Sequence, residues 1–140
     1  MNEIPQLRAI QQLGRTYRAL MGAFEAKIGL SMPRWRILLA LHQAGERSQK
    51  ALARDLRMDP AALTRQVKAI EQEGWVERHS DAVDNRLTNV ALTDAGRALV
   101  ARTLPRRTAF IETAFGDMSI EEMNELSALL HTLEERLRQE

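Results

Sequence analysis

The sequence predicts a mainly α (α+β) protein, and three observations support this class. Apolar residues recur at three- and four-residue spacing along most of the chain, as they do in amphipathic helices. Residues 48–73 match two short helices joined by the tight turn Arg57-Met58-Asp59. Residues 75–92 then match two short strands joined by a polar loop. This order predicts a winged helix-turn-helix core with a two-stranded wing, flanked by N-terminal and C-terminal helices.

Length and composition exclude several classes of protein. A chain of 140 residues is most simply one domain with a core of its own. The absence of cysteine excludes disulfides, thiolate zinc sites and cysteine-based redox sensing. The N-terminal segment lacks the basic start and apolar run of a signal peptide, and no apolar run approaches the roughly 20 residues of a membrane span. We therefore expect a cytoplasmic protein that is not bound to a membrane.

The N-terminal part, residues 1–30, is predicted to be one long helix and its end. A broad apolar stripe follows helical spacing over residues 6–28, and Gly29 is a suitable helix stop. The breadth of the stripe indicates that this helix is buried against something large. Residues 31–93 form the next part, which begins with a helix capped by Ser31. The inner face of that helix carries Trp35, Ile37, Leu38 and Leu41.

Two short helices follow within this central part. The first is predicted over Gln49–Leu56, with Ser48 as its N-cap. The second begins at Asp59-Pro60, because aspartate is a preferred N-cap and proline at the first helical position has no N–H to lose. It is predicted to span residues 60–73, before Gly74. Its inner stripe consists of Leu63, Val67 and Ile70.

The second of these helices has an outer face suited to DNA. Ala61, Thr64, Arg65 and Lys68 share that face at helical spacing. Small residues permit close approach to a major groove, and arginine or lysine can bond to guanine O6 and N7 or to phosphate. Since the formal net charge is only +1, any DNA affinity must come from such local patterns. An ordinary amphipathic helix with a solvated outer face has the same pattern, so this helix alone leaves both interpretations open.

The predicted hairpin is the wing. Its strands are Trp75–Arg78 and Leu87–Leu92, and a polar loop rich in turn-forming residues lies between them. Arg86 can enter a minor groove or contact phosphate, with Asp84 holding its side chain through a charge-assisted bond. The alternative is that these two residues only stabilise a solvated turn. A calcium loop is not favoured, because the spacing and the distal glutamate of known loops are missing.

Residues 94–140 are predicted to form two helices. Thr93 caps the first, which runs to about Phe115, and Pro105 predicts a kink or break one turn earlier. Ser119-Ile120-Glu121-Glu122 is a capping box that starts the last helix. The terminal helices carry more apolar side chains than a small winged helix needs for its own packing, so we expect them to form a homodimer. The alternative is a monomer whose terminal helices pack only on their own core.

Short motifs along nearly the whole chain, taken together, resemble the MarR family of bacterial transcriptional regulators. In chain order they are Leu30-Ser31-Met32-Pro33-Arg34-Trp35, Gln49-Lys50-Ala51-Leu52-Ala53, Thr64-Arg65-Gln66-Val67 with Ile70-Glu71, Gly74-Trp75-Val76-Glu77-Arg78, Asp81-Ala82-Val83-Asp84-Asn85-Arg86 and Leu92-Thr93-Asp94-Ala95-Gly96. Each motif is weak alone, and their order and spacing make the match specific. The wing departs from the family pattern Asp-x-Arg-Asp-x-Arg, because Val83 replaces the first arginine and leaves Arg86 alone for a wing contact.

The resemblance implies a homodimeric repressor or activator, and we expect repression. Such a dimer reads a palindromic operator through the helix at 60–73 and the wing at 79–87, with its two recognition helices about 34 Å apart. The expected DNA-binding residues are Ser48, Gln49, Ala61, Thr64, Arg65, Lys68, Asp84 and Arg86. Among them Ser48, Gln49 and Arg86 are the candidates for phosphate or minor-groove contacts.

The resemblance also implies that a small aromatic acid, bound between the DNA-binding lobe and the dimer lobe, releases the protein from DNA. Tyr17, Arg18, Met21 and Trp35 are the candidates to line such a site, since the first two helices should meet there. The alternative for these residues is core packing, which is the commoner role of tryptophan and methionine at helical spacing.

Two other classes of function fit less well. An enzyme is not expected, because the chain has no nucleophile–base constellation, no glycine-rich phosphate loop and no metal-ligand spacing. For the same reasons we expect no cofactor and no metal. The alternative function is a protein-interaction module that uses a winged helix without sequence-specific DNA binding. Binding by such a module would depend little on salt.

Overall fold

The computed structural model describes residues 4–139 and has the predicted fold class, mostly helical with a small antiparallel sheet. Its elements are α1 (Pro5–Ile28), α2 (Met32–Ala44), β1 (Arg47–Ser48), α3 (Gln49–Leu56), α4 (Pro60–Gln72), β2 (Val76–Ser80), β3 (Thr88–Leu92), α5 (Asp94–Phe115) and α6 (Ile120–Arg138). The chain divides into two compact units, of which the first ends at Arg107 and the second begins at Thr108, inside α5.

The helix starts of the first unit are fixed by the side chains that the sequence predicts. Ser31, Ser48 and Asp59 each accept a hydrogen bond from the backbone N–H three residues further on. Each bond satisfies a donor that the first helical turn otherwise leaves unpaired. Between α3 and α4 the chain turns through Arg57, which has a positive φ of 54°. This left-handed residue makes the turn short and sets α4 directly after α3.

The core of the first unit lies between its helices and the sheet. The side chains with almost no exposed surface include Phe24 of α1, Trp35, Ile37 and Leu38 of α2, Leu52 of α3, Leu63, Val67 and Ile70 of α4, Val90 of β3 and Val100 of α5. The predicted inner stripes of the second and fourth helices are therefore confirmed. Burying one such side chain stabilises the fold by about 1.5–3 kcal/mol. Because the inner stripe of α4 is buried, its opposite face is left to solvent.

The sheet has the strand order β1-β3-β2, and both pairings are antiparallel. In the wing Val76 pairs with Leu92 and Ser80 with Thr88, while Arg47 of β1 pairs with Val90. The sequence predicts only the two wing strands, because two residues are too few to show an alternating pattern. The third strand joins the start of α3 to the base of the wing.

The start of α5 packs against the segment between α4 and β2. The Thr93 hydroxyl donates to the carbonyl of Gly74 at 2.6 Å, and the Thr93 N–H donates to the carbonyl of Trp75 at 3.0 Å. A Cβ on Gly96 would lie 2.0 Å from that Trp75 carbonyl oxygen. Only glycine permits this approach, so Gly96 fixes the base of the wing on α5.

Of the kink or break predicted one turn before Pro105, the break is wrong, because α5 continues through this residue. Proline removes one backbone hydrogen bond from a helix interior. The helix has 22 residues, so its other backbone bonds remain on both sides of that position. The boundary between the two compact units falls two residues later, between Arg107 and Thr108.

The second unit contains the end of α5 and all of α6. The predicted capping box is confirmed: the Ser119 hydroxyl accepts from the Glu122 N–H at 3.1 Å, and Glu122 Oε1 accepts from the Ser119 N–H at 3.0 Å. The backbone bond from Ser119, with its side-chain bond, lowers the pKa of the Glu122 carboxyl. No described residue of α6 is buried within the single chain. None of the helices in residues 4–139 is long and apolar enough to cross a membrane.

Candidate nucleic-acid interface

The helix α4 is held to three neighbouring elements by side-chain bonds. The bonds are Gln49 Nε2 of α3 to Thr64 Oγ1 at 3.2 Å, Arg34 Nε of α2 to Gln66 Oε1 at 3.1 Å and Arg78 Nη2 of β2 to Glu71 Oε1 at 3.1 Å. Together with the buried inner stripe, these bonds fix the position of α4 on the core. A surface carried by such a helix is preorganised, so binding does not need to order its backbone.

The outer face of α4 carries cations without internal partners. Ala61, Arg65 and Lys68 are all exposed, as their spacing predicts. In the part of the chain that the structure describes, Arg65 and Lys68 make no hydrogen bond or ion pair with another side chain. All five N–H donors of the guanidinium and all three of the ammonium are therefore available to a partner molecule. Small Ala61 beside them permits close approach.

Three other predicted DNA-binding side chains are engaged inside the protein. Ser48 Oγ accepts the N-cap bond of α3, and Gln49 Nε2 donates to Thr64. Thr64 Oγ1 also donates to the carbonyl of Pro60 at 3.0 Å. Thr64 is half-buried, so it lies between the anchored side of α4 and the exposed face. These bonds engage Ser48 Oγ, Gln49 Nε2 and Thr64 Oγ1 within the protein.

A groove of about 430 Å³ lies between α3 and α4. Gln49 lines it from α3 and Thr64 lines it from α4, so the hydrogen bond between them joins its two walls. The other lining residues are Lys50, Ala53, Arg54, Met58, Pro60 and Leu63. Gln49 Oε1 is buried and has no hydrogen-bond partner among the described residues.

The wing loop is organised by Asp81, which is not among the residues that the sequence predicts to bind DNA. Its Oδ1 accepts from the N–H groups of Val83 at 2.8 Å and Asp84 at 2.9 Å, and its Oδ2 accepts from Asn89 Nδ2 at 2.9 Å. The bond from the Asp84 N–H, then those from Asn89 and Val83, hold the pKa of the Asp81 carboxyl below its usual value. An aspartate at the start of a turn commonly bonds to the N–H two residues on, and this signal was available in the sequence.

Arg86 is held by Asp84 through two parallel bonds. Arg86 Nε and Nη2 lie 3.0 Å and 3.0 Å from the two carboxylate oxygens of Asp84. This pair lowers the pKa of the Asp84 carboxyl and raises the pKa of the Arg86 guanidinium. The Arg86 side chain is nevertheless 89% exposed. The predicted bond is present, so the wing offers a guanidinium with a fixed direction whose charge is shared with a neighbouring carboxylate.

The four residues expected to line an effector site have different environments. Trp35 is 2% exposed, and Arg107 Cζ lies 5.6 Å from the centroid of its ring, within the range of a cation–π contact. Tyr17 is 61% exposed, Arg18 is exposed and Met21 is half-buried. Trp35 therefore belongs to the core, whereas Tyr17 presents its ring outward. The sequence did not identify Arg107 as the residue over Trp35, because such a contact leaves no pattern in spacing.

Comparison with known proteins identifies relatives of this chain. A model of the MarR family matches residues 30–88. The uncharacterized HTH-type transcriptional regulator YdgJ of Bacillus subtilis (strain 168) is 34% identical over 113 residues, which are 81% of this chain and 69% of YdgJ. A crystal structure of a probable transcriptional regulator from Pseudomonas aeruginosa is 28% identical with a TM-score of 0.81, over 86% of this chain and 92% of the other.

The same fold occurs in BpsR from Bordetella bronchiseptica, whose DNA binding is regulated by 6-hydroxynicotinic acid. The two chains are 23% identical and superpose with a TM-score of 0.80, over 91% of this chain and 98% of BpsR.

Proposed function

We infer that this chain, which belongs to the MarR family of DNA-binding transcriptional regulators and is not an enzyme, acts as a homodimeric repressor. In our proposal the dimer reads a palindromic operator through α4 and the wing at 79–87. A small aromatic acid releases it from the DNA. The protein works in the cytoplasm, the compartment that holds bacterial DNA.

One observation carries this proposal: Arg65 and Lys68 have no partner among residues 4–139, and they lie on a helix that side-chain bonds anchor to α2, α3 and β2. A fixed guanidinium can make a bidentate bond to guanine O6 and N7, which specifies a base, and an ammonium can bond to a base or a phosphate. If this face were only solvated, carboxylates could stand among its cations without loss of stability. Positions 61, 64, 65 and 68 carry no carboxylate.

Exposed apolar side chains on the terminal helices support a homodimer. Those at and after the start of α1 are Ile4, Leu7, Ile10, Leu13 and Tyr17, and those of α6 are Ile120, Leu126, Leu129, Leu130 and Leu137. On each of these helices the exposed apolar side chains recur at short spacing, and exposed apolar surface of this kind marks an interaction site. A second copy of the chain supplies matching surface, and two-fold symmetry then matches a palindromic site.

The wing and the start of α3 have supporting roles in this proposal. Arg86, directed by Asp84, meets a minor groove or a phosphate. The backbone N–H groups of the first turn of α3, near Ser48 and Gln49, complement a phosphate of the DNA backbone. These contacts position the dimer, and the outer face of α4 specifies the sequence.

The effector is the part of the proposal that rests most on relatives. BpsR responds to 6-hydroxynicotinic acid and shares only the fold with this chain. We propose that an aromatic carboxylic acid binds near Tyr17, Arg18, Met21 and Trp35. An arginine can hold the carboxylate in a bidentate pair, and aromatic side chains can hold the ring.

The test of DNA reading is a titration of the purified protein against a duplex from directly upstream of its own gene, with a scrambled duplex of the same composition as control. Titration at several salt concentrations separates phosphate contacts from base contacts. We expect tight, salt-sensitive binding that prefers the upstream duplex. Equally weak binding to both duplexes, with little salt dependence, would instead favour the protein-interaction module.

The effector is tested by calorimetry with benzoate-like and nicotinate-like acids, followed by the same DNA titration in the presence of each acid that binds. We expect at least one acid to bind and to lower the affinity for DNA, because a ligand that prefers the unbound state shifts the equilibrium toward it. No binding and no change in DNA affinity across the panel would remove the aromatic acid from the proposal.

A further inference from the structure

We propose that Gln49 is a positioning residue, which sets the place of the recognition helix α4 against α3 through its hydrogen bond to Thr64 and thereby tunes the base preference of the interface. This inference rests on the proposed function for its effect on DNA. The positioning itself is a property of the free protein, so it can be tested separately.

The Thr64 hydroxyl and the Gln49 Nε2 group are bonded inside the protein. Thr64 Oγ1 donates its only hydrogen to the Pro60 carbonyl at 3.0 Å and accepts from Gln49 Nε2 at 3.2 Å. A hydroxyl has one donor, so Thr64 has none left for a base acceptor. The pair therefore acts on DNA through the position of α4, whose neighbouring residue Arg65 is free to reach a base.

The hydrogen bond between Gln49 and Thr64 lies near the start of α4. It joins α3 and α4 across the groove of about 430 Å³ that both residues line. Of the three side-chain anchors of α4, it is the nearest to the start of the helix. The start of a recognition helix is the part that contacts base edges. A small shift there moves the Arg65 guanidinium by a similar distance and changes which base it reaches.

Gln49 brings an unfavourable term to the stability of the fold. Its Oε1 is buried without a partner among the described residues. A buried acceptor without a partner destabilises a protein, whereas one neutral hydrogen bond returns only a modest net gain. An apolar side chain of similar length would remove the unpaired oxygen and fill the same space. Stability alone thus does not explain glutamine at position 49. The hydrogen bond from its Nε2 to Thr64 on α4 gives the residue a functional role instead.

The experiment compares Gln49→Met, Thr64→Val and the double variant with the wild-type chain, using the upstream and scrambled duplexes. Gln43→Met, an exposed glutamine of α2, is the matched control. Selectivity is the ratio of the two dissociation constants. We expect each single variant to lose roughly fivefold in selectivity, because a displaced Arg65 keeps only part of its base contact. The double variant should lose no more than the worse single one, because both remove the same bond.

Two further readouts separate positioning from other roles. The melting temperature of Gln49→Met should equal or exceed that of the wild type. The backbone amide NMR signals of residues 61–68 in the free protein should shift together in Gln49→Met and in Thr64→Val, but not in Gln43→Met. Multiplied losses of selectivity in the double variant would mean that the two residues contact DNA independently, and would overturn the inference. Unmoved signals from residues 61–68 would overturn the positioning role of Gln49, whatever the selectivity of the wild-type chain. A wild-type chain without selectivity would instead contradict the proposed function.

Discussion

The recognition helix and the wing both carry arginine, but they hold it differently. Arg65 of α4 has no internal partner among the described residues, while the helix beneath it is anchored by Thr64, Gln66 and Glu71. Arg86 of the wing is paired with Asp84 through two bonds of 3.0 Å and 3.0 Å. In α4 the backbone is fixed and the cation is free. In the wing loop the cation itself takes part in fixing the backbone.

This difference implies a division of labour. A free guanidinium on a fixed helix keeps its full charge and all its donors for a base. A guanidinium already bonded to a carboxylate must share its charge, so it gains less from a phosphate. We therefore expect α4 to supply most of the sequence selectivity and the wing to supply a weaker, positioning contact.

The largest expected effect comes from Gly96, which packs against the backbone of Trp75 between α4 and the wing. In Gly96→Ala the new Cβ would lie 2.0 Å from the Trp75 carbonyl oxygen and 3.1 Å from Leu92 Cδ2. Because the clash is with backbone, we expect overpacking to cost about 3 kcal/mol or more in the free energy of unfolding. Thermal and urea unfolding measure this loss.

The matched control is Gly22→Ala in α1, where an added Cβ meets no atom within 4 Å. Alanine is the better helix former, so this change should stabilise by about 0.5–1 kcal/mol. If Gly96→Ala unfolded at the wild-type temperature, the wing base would not be packed on α5 as described.

The second effect tests the comparison directly, by removing one arginine from each region. Arg65→Ala should cost about 1–3 kcal/mol in binding to the upstream duplex and much less on the scrambled one, since a base contact is lost. Arg86→Ala removes the same formal charge. It should lower the affinity for the upstream duplex less than Arg65→Ala does, and it should lower the affinity for both duplexes by the same factor. The measurement is the dissociation constant of each variant for each duplex. Equal losses for the two variants on the upstream duplex would break the proposed division of labour.

How far the sequence predicts these two regions differs for a physical reason. The helix α4, its Asp59 cap and its exposed Arg65 follow from local chemistry and helical spacing, which a sequence shows directly. The pairing of β1 with β3 joins residues far apart in the chain, and so does the hydrogen bond from Arg34 to Gln66. A single sequence carries no signal for such pairs. The same holds for Gly96 against Trp75.

The wing was predicted in outline but not in its organisation. The Asp84–Arg86 bond links residues two apart and could be predicted, whereas the bond from Asn89 to Asp81 depends on the strand register. Pro105 shows the opposite error. A local rule predicted a kink or break, and the 22-residue helix continues without a break in spite of one missing bond.

The third-largest effect is expected from adding a free cation to the wing. Val83 is 97% exposed, and its backbone N–H is fixed by Asp81. In Val83→Arg the new guanidinium should raise the affinity for both duplexes. It should also steepen the dependence of log affinity on log salt by about 0.9, the value of one phosphate contact. The control is Val83→Gln, which adds length and polarity but no charge. An unchanged salt slope in Val83→Arg would mean that the wing tip does not reach the DNA.

The smallest effect concerns pH and distinguishes the wing from α4 without DNA. The pKa of the Asp81 carboxyl is lowered mainly by the Asp84 N–H, and that of Asp84 mainly by the Arg86 side chain. A carboxyl whose folded pKa lies below its unfolded value contributes stability that is complete above the unfolded pKa and is lost as pH falls through the folded pKa. Ordinary aspartate titrates near 3.9. The hydrogen bonds that Asp81 and Asp84 accept should therefore be indifferent to pH from about 8 down to about 5 and should loosen only below about 4.

The amide NMR signals of Val83, Asp84 and Arg86 report this loosening during an acid titration, because their N–H groups bond to the two carboxylates. In Asp81→Asn the amide oxygen can still accept a hydrogen bond but cannot be protonated in this range. The signals of Val83 and Asp84 should then lose most of their shift below pH 4, while that of Arg86, which depends on Asp84, should keep its own. Signals of Val83 and Asp84 that moved as far in Asp81→Asn as in the wild-type chain below pH 4 would show that the loop is not held by the Asp81 carboxylate, and the contrast with the anchored helix would need another cause.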